Sequence, residues 1–134
     1  MAKLLSAYGY QGDAMNLPVA DVEAAAPYYV RHMGFLVVEQ DSGAGEPPYE
    51  DAFKRLILER DGIRIALAEN GGDPEQDGCA FHTDDVTALH DEFIATGLDK
   101  IGKIDEETRD GGKRFKVFFV IAPDGLCYWF GQRQ

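Results

Sequence analysis

The apolar positions of this chain fall into patterns that occur twice. Residues 14–19 alternate in polarity and carry Pro18 near their end, which predicts an edge-tolerant strand. Asp21 then precedes Val22, Ala25, Ala26, Tyr29, Val30 and Met33 at helical spacing, with Gly34 as the stop. Pro27 lies inside that stripe and is expected to shift the helix start or bend it. FLVVEQ (35–40), KRLILER (54–60) and the run after Asp61-Gly62 read as three further strands.

The order then repeats. A shift of 64 residues superposes Leu17 on Phe81, Asp21 on Asp85, Val22 on Val86, Ala24 on Ala88 and Tyr29 on Phe93. Further on, DGIRIALAE (61–69) matches DGLCYWFGQ (124–132) at a shift of 63. In the second copy Asp84 or Asp85 caps a helix with the stripe Val86, Leu89, Phe93 and Ile94, stopped by Gly97. LDKIGKI (98–104) reads as the weaker counterpart of 35–40, and FKVFFVI (115–121) as the next strand. The class is therefore α+β, with two βαβββ modules over 14–69 and 78–134 forming one duplicated domain. Residues 1–13 read as an N-terminal arm and the Gly/Asp-rich stretch 70–77 as a linker. Two long loops, 41–52 and 105–114, are either binding elements or tolerated insertions.

Charge narrows the partners. With 13 Lys+Arg against 24 Asp+Glu, the formal charge is −11, which repels nucleic-acid backbones and anionic membranes. The stretches 39–51, 69–77 and 105–110 hold many of the carboxylates, so the acidity belongs to solvated loops. No apolar run approaches the roughly 20 residues of a membrane span, and the first residues lack a signal-type apolar region, so a cytoplasmic location is expected. Cys79 and Cys127 form neither a metal spacing nor a disulfide framework. Leu4, Leu5, Tyr8 and Tyr10 make the arm too apolar for a free tail, so it is expected to pack across a second copy in a homodimer.

Three segments, NLPVADVEAAAPYYVRHMGF (16–35), HTDDV with its helix, and APDGLCYWFGQ (122–132), resemble the vicinal oxygen chelate superfamily, also called the glyoxalase/bleomycin resistance/dioxygenase family. The resemblance covers about residues 14–132 and implies paired modules whose sheets curl around a shared cleft. Members commonly chelate a divalent metal through four side chains there. Motif spacing carries those positions onto Ala14, Ala66, Gly78 and Trp129, none of which is a metal ligand. A one-residue slip would bring in Asp13, Met15 or Cys79, of which only Asp13 suits a hard metal. The resemblance is therefore to the metal-free, bleomycin-resistance-like branch, with no cofactor and no assigned catalytic residue.

Strand alternation then gives the cleft lining: Ala14, Asn16 and Pro18; Arg64, Ala66 and Ala68; Gly78, Ala80 and His82; Cys127, Trp129 and Gly131. Met15, Leu17, Val19, Ile63, Ile65, Leu67, Tyr128 and Phe130 belong against the helices. Asn16, Arg64, Ala66, His82, Cys127 and Trp129 are the candidate ligand-binding residues. Trp129 is either a stacking platform for a planar ligand or a plug in a degenerate cavity. Arg64 in an enclosed cleft needs a partner, either Glu69 or Asp13 or an anionic or carbonyl-bearing ligand, and the alternative is that it reaches solvent near the cleft mouth. His32 and His90 sit on different helices and are expected to be solvated.

The expected function is metal-independent binding of a small molecule, an antibiotic or aromatic metabolite that the protein sequesters. The alternatives are a metal-dependent lyase, isomerase or dioxygenase of the same superfamily with displaced ligands, and an interaction module in which Trp129 is core.

Overall fold

A computed structural model describes residues 2–10, 14–43, 53–69, 75–109 and 111–134. Asp13, residues 44–52 of the first long loop and 70–74 of the linker lie outside the described residues. The strands are β1 (Leu4–Gly9), β2 (Leu17–Pro18), β3 (Leu36–Gly43), β4 (Phe53–Arg60), β5 (Ile63–Glu69), β6 (Gly78–Thr83), β7 (Asp105–Arg109), β8 (Lys113–Ile121) and β9 (Cys127–Arg133). The helices are α1 (Val22–Met33) and α2 (Val86–Ala95).

Two mixed sheets result. One runs β2-β5-β4-β3 and the other β1-β6-β9-β8-β7, so each module contributes the same four-strand order. The duplication persists in register, because Leu17 pairs with Leu67 across β2 and β5 as Phe81 pairs with Phe130 across β6 and β9. It persists at the helix starts as well. Asp21 accepts from the Glu23 and Ala24 N–H groups, and Asp85 accepts from that of Ala88. A second acceptor comes from the module's last strand: Glu69 Oε1 receives the Val22 N–H at 3.1 Å, and Gln132 Oε1 receives that of Val86 at 3.0 Å. Glu69 and Gln132 are partners in the shift of 63.

Pro27 neither displaces nor interrupts α1, which is continuous from Val22 to Met33 with Pro27 on its exposed side. There the carbonyl left without its intrahelical donor is within reach of water. Gly34 then takes a left-handed conformation at φ 75° and donates its N–H to the Tyr29 carbonyl.

The second module corrects one expectation. Residues 98–104 contribute a single bridge, Ile101 to Val120, and the strand beside β8 is Asp105–Arg109, inside the segment read as a loop. Ile101 and Ile104 are apolar because they pack against the core as irregular backbone, while β7 is polar because it is a sheet edge. The segment read as an arm supplies β1, antiparallel to β6 of its own chain, with Leu4 in the core.

The main core lies between the sheets and the helices and joins the modules through Leu17, Tyr29, Phe35, Ile65, Leu67, Phe81, Phe93, Tyr128 and Phe130. None of the described helices is long and apolar enough to cross a membrane.

Candidate functional site

Alternation sends the other side chains of β6, β8 and β9 to the opposite face of the second sheet. Phe115, Val117 and Trp129 form a separate apolar cluster there, with Ala80 packed against it. Trp129 is directly opposite Ala80 on β6 and Phe119 on β8. Rings converge on it: the His82 centroid is 5.1 Å away and that of Phe115 5.5 Å, both edge to face, while Tyr8 of β1 meets His82 at 6.1 Å.

The indole lies flat along the sheet because residue 131 is glycine. A β-carbon at Gly131 would overlap the six-membered ring of Trp129. The indole is also covered by Arg109, whose guanidinium carbon stands over the ring 4.7 Å from its centroid and which is paired with Glu107. Trp129 is consequently 1% exposed, yet its indole N–H has no hydrogen-bond partner among the described residues. The room expected around Ala66, Ala68 and Gly131 is therefore reduced on the Gly131 side by Trp129 itself.

The remaining candidates are distributed over the two sheets. His82, Cys127 and Trp129 share the second, with Cys127 opposite Gly78 at the start of the parallel β6–β9 pairing. Ala66 lies on the first sheet opposite Ile57, fully buried, and its N–H donates to the Ala14 carbonyl at 2.8 Å. Arg64 sits at the solvated end of β5, 49% exposed, and its partners are Glu59 at 2.9 Å and Glu39 at 3.4 Å rather than Glu69. Asn16 Oδ1 accepts from the buried Gln76 amide at 3.0 Å, which ties the end of the linker to the first module.

The four positions carried over from the resemblance do not fit a metal. Ala14 and Ala66 bring no donor, and Trp129 brings an N–H that does not ligate. Gly78 cannot be replaced by a donor, since any β-carbon there would overlap the Cys127 carbonyl, and its φ is 147°. Among the described residues no group of three or more His, Cys, Asp or Glu side chains is placed to hold a metal ion.

Acid–base and nucleophilic chemistry is equally short of parts. Burial pushes the thiols of Cys79 and Cys127 up, Asp77 adding to the effect at Cys127, so both are protonated at neutral pH. The turn carboxylates cap backbone: Asp61 receives the Leu4 N–H, Asp84 that of Lys3 and Asp124 that of Ala20. His32 pairs with Thr96 Oγ1, and His90 with the Gly102 carbonyl, each at 2.9 Å.

Sequence reasoning missed Arg109 and Phe115 as members of this site. The Phe115 signal was present, since position 115 shares the outward parity of Val117 and Phe119 on β8. Arg109 gave none, because β7 carries no apolar alternation.

Among the described residues, a cavity of about 390 Å³ surrounds Arg60, Asp61 and Glu92, whose charges are mutually paired, so it is a junction between elements. Another, about 320 Å³, lies beside Tyr28, Asp99 and Pro123.

No family model and no curated protein matches the chain. Solved structures do match in fold. A glyoxalase/bleomycin resistance protein/dioxygenase from Alicyclobacillus acidocaldarius is 15% identical, the match covering 87% of this chain and 86% of that one at a TM-score of 0.62. A virulence protein from Salmonella typhimurium is 18% identical over 87% and 90% of the two chains, also at 0.62. A glyoxalase-related enzyme from Clostridium phytofermentans is 15% identical over 97% and 94%, at 0.57. The chain thus has the glyoxalase/bleomycin resistance/dioxygenase fold, the paired βαβββ arrangement of the vicinal oxygen chelate superfamily.

Proposed function

We propose that this protein is a metal-independent small-molecule binder of the glyoxalase/bleomycin resistance type, sequestering an aromatic metabolite or antibiotic at the Trp129 face. The observation that carries this reading is the replacement of a donor by Trp129 at the centre of an aromatic cluster, with a buried indole N–H left for an acceptor atom. The absence of a fitting donor set at Ala14, Ala66 and Gly78 supports the same reading. On this reading the protein acts as a homodimer, and exposed Leu5 on β1 with Leu36, Val37 and Val38 on β3 supports burial of sheet-edge surface between copies.

Trp129 is the chain's single tryptophan, so its emission reports on the site directly. A panel of planar aromatic compounds is expected to include some that quench that emission and raise the melting temperature, and Trp129→Ala should abolish the thermal shift. No response to any member, or an unchanged response in the variant, would overturn the proposal. Stoichiometric zinc, nickel, manganese or iron in the purified protein would favour a metal-dependent lyase, isomerase or dioxygenase instead.

A further inference from the structure

The face of Trp129 proposed as the binding surface is already covered by the chain's own Arg109, a planar cation. The residue reaches it from the end of β7 while remaining 42% exposed, and Glu107 on the same strand neutralises its charge. An arginine in this state offers little to an anionic ligand, since its positive charge is taken up by Glu107 and its flat surface by the indole. What the site displays through Arg109 is the shape and charge it accepts: a flat cation over an aromatic face, edged by His82 and Phe115, with a carboxylate beside it.

We propose that Arg109 is a built-in occupant of the binding site, and that the ligand class is a planar organic cation, an amidinium, guanidinium or protonated ring, which displaces it. The inference rests on the Trp129 face being a ligand site. Displacement leaves Glu107 to pair with the incoming cation, and the Arg109 side chain moves into solvent that it already touches. A tethered competitor lowers apparent affinity by the fraction of molecules in which the site is closed, so removing it strengthens binding.

The test uses three probes of one shape and different charge: benzamidine, benzamide and benzoate. They are titrated into the wild type and into Arg109→Ala, with Trp129 emission as the readout. Benzamidine is expected to bind Arg109→Ala about 3- to 30-fold more tightly than the wild type, the span of a cation–π contact removed from competition. Benzoate should gain nothing. Glu107→Gln, combined with Arg109→Ala, should lower benzamidine affinity again while leaving benzamide unchanged.

Weaker binding of the probes by Arg109→Ala, a gain for benzoate equal to that for benzamidine, or failure of benzamidine to bind the variant would overturn the proposal. If other aromatic compounds still act through Trp129, the binding-site reading stands without it. If no aromatic compound does, both fall. Arg109→Lys separates stacking from charge, and it should behave as Arg109→Ala does if the planar contact is what closes the site.

Discussion

The hydroxyl groups of Tyr29 on α1 and Tyr128 on β9 lie 2.6 Å apart in a fully buried contact that joins the two modules. Their rings meet edge to face at 5.8 Å, so the polar pair sits within an aromatic interface. Each hydroxyl satisfies the other, and a single Tyr→Phe change strands one of them. Tyr29→Phe or Tyr128→Phe should each cost about 1–3 kcal/mol, while the double variant should cost clearly less than the sum. Urea unfolding of the four proteins measures this, and additive losses would show that the hydroxyls act independently.

A charged junction complements that contact. Arg60, with a side chain 9% exposed, donates to both Glu92 oxygens at 2.6 and 2.9 Å and to the Met33 and Ala2 carbonyls at 2.7 and 3.2 Å. One guanidinium thereby ties β4 to the end of α1, to α2 and to the N-terminal segment. Arg60→Ala leaves Glu92 and two carbonyls without their donor, so about 3–5 kcal/mol should be lost. Glu92→Gln keeps the hydrogen-bonding shape and should cost less. Thermal unfolding that ranks the two variants in the opposite order would refute this account.

These two contacts mark how far the sequence could be read. The helical stripe put Tyr29 inward, and strand parity put Tyr128 on the core face, so both rings were legible. That their hydroxyls meet depends on how two modules pack, which no local pattern records. Position 105–109 was illegible for another reason: an edge strand with one solvated face can be almost wholly charged, and periodicity then has nothing to detect. Alternation placed Arg64 on the Ala66 face, but the cross-strand Glu59 and the solvated strand end made it a surface ion pair. Trp129 was located by its place in the repeat, whereas its cover came from Arg109, twenty residues earlier in a segment taken for a loop.

Alkaline pH offers a separate test of the packing. Burial, with a smaller contribution from Asp99, pushes Tyr28 up to about 12, and burial likewise pushes Tyr29 and Tyr128 upward. The folded state therefore holds protons that the unfolded chain releases near pH 10. Stability is fully present below about pH 10 and falls as pH rises toward the folded values, with a limiting slope of roughly 1.4 kcal/mol per pH unit for each such tyrosine. Ultraviolet absorbance should show these three phenols ionising together with the loss of circular dichroism. Complete tyrosine ionisation in a chain that remains folded would count against the buried environment.

Gly131 controls the attitude of Trp129, which makes it the most informative single position in the site. The indole rests over this residue, where a methyl group has no room. Gly131→Ala must therefore displace the ring from its place over the sheet and disturb its contact with Arg109. Overpacking of this kind costs about 1–3 kcal/mol, and the backbone conformation of Gly131 adds no penalty because its φ is not positive. A displaced indole gains solvent contact, so its emission should shift to longer wavelength. An unmoved spectrum with unchanged stability would mean that the ring does not lie over Gly131.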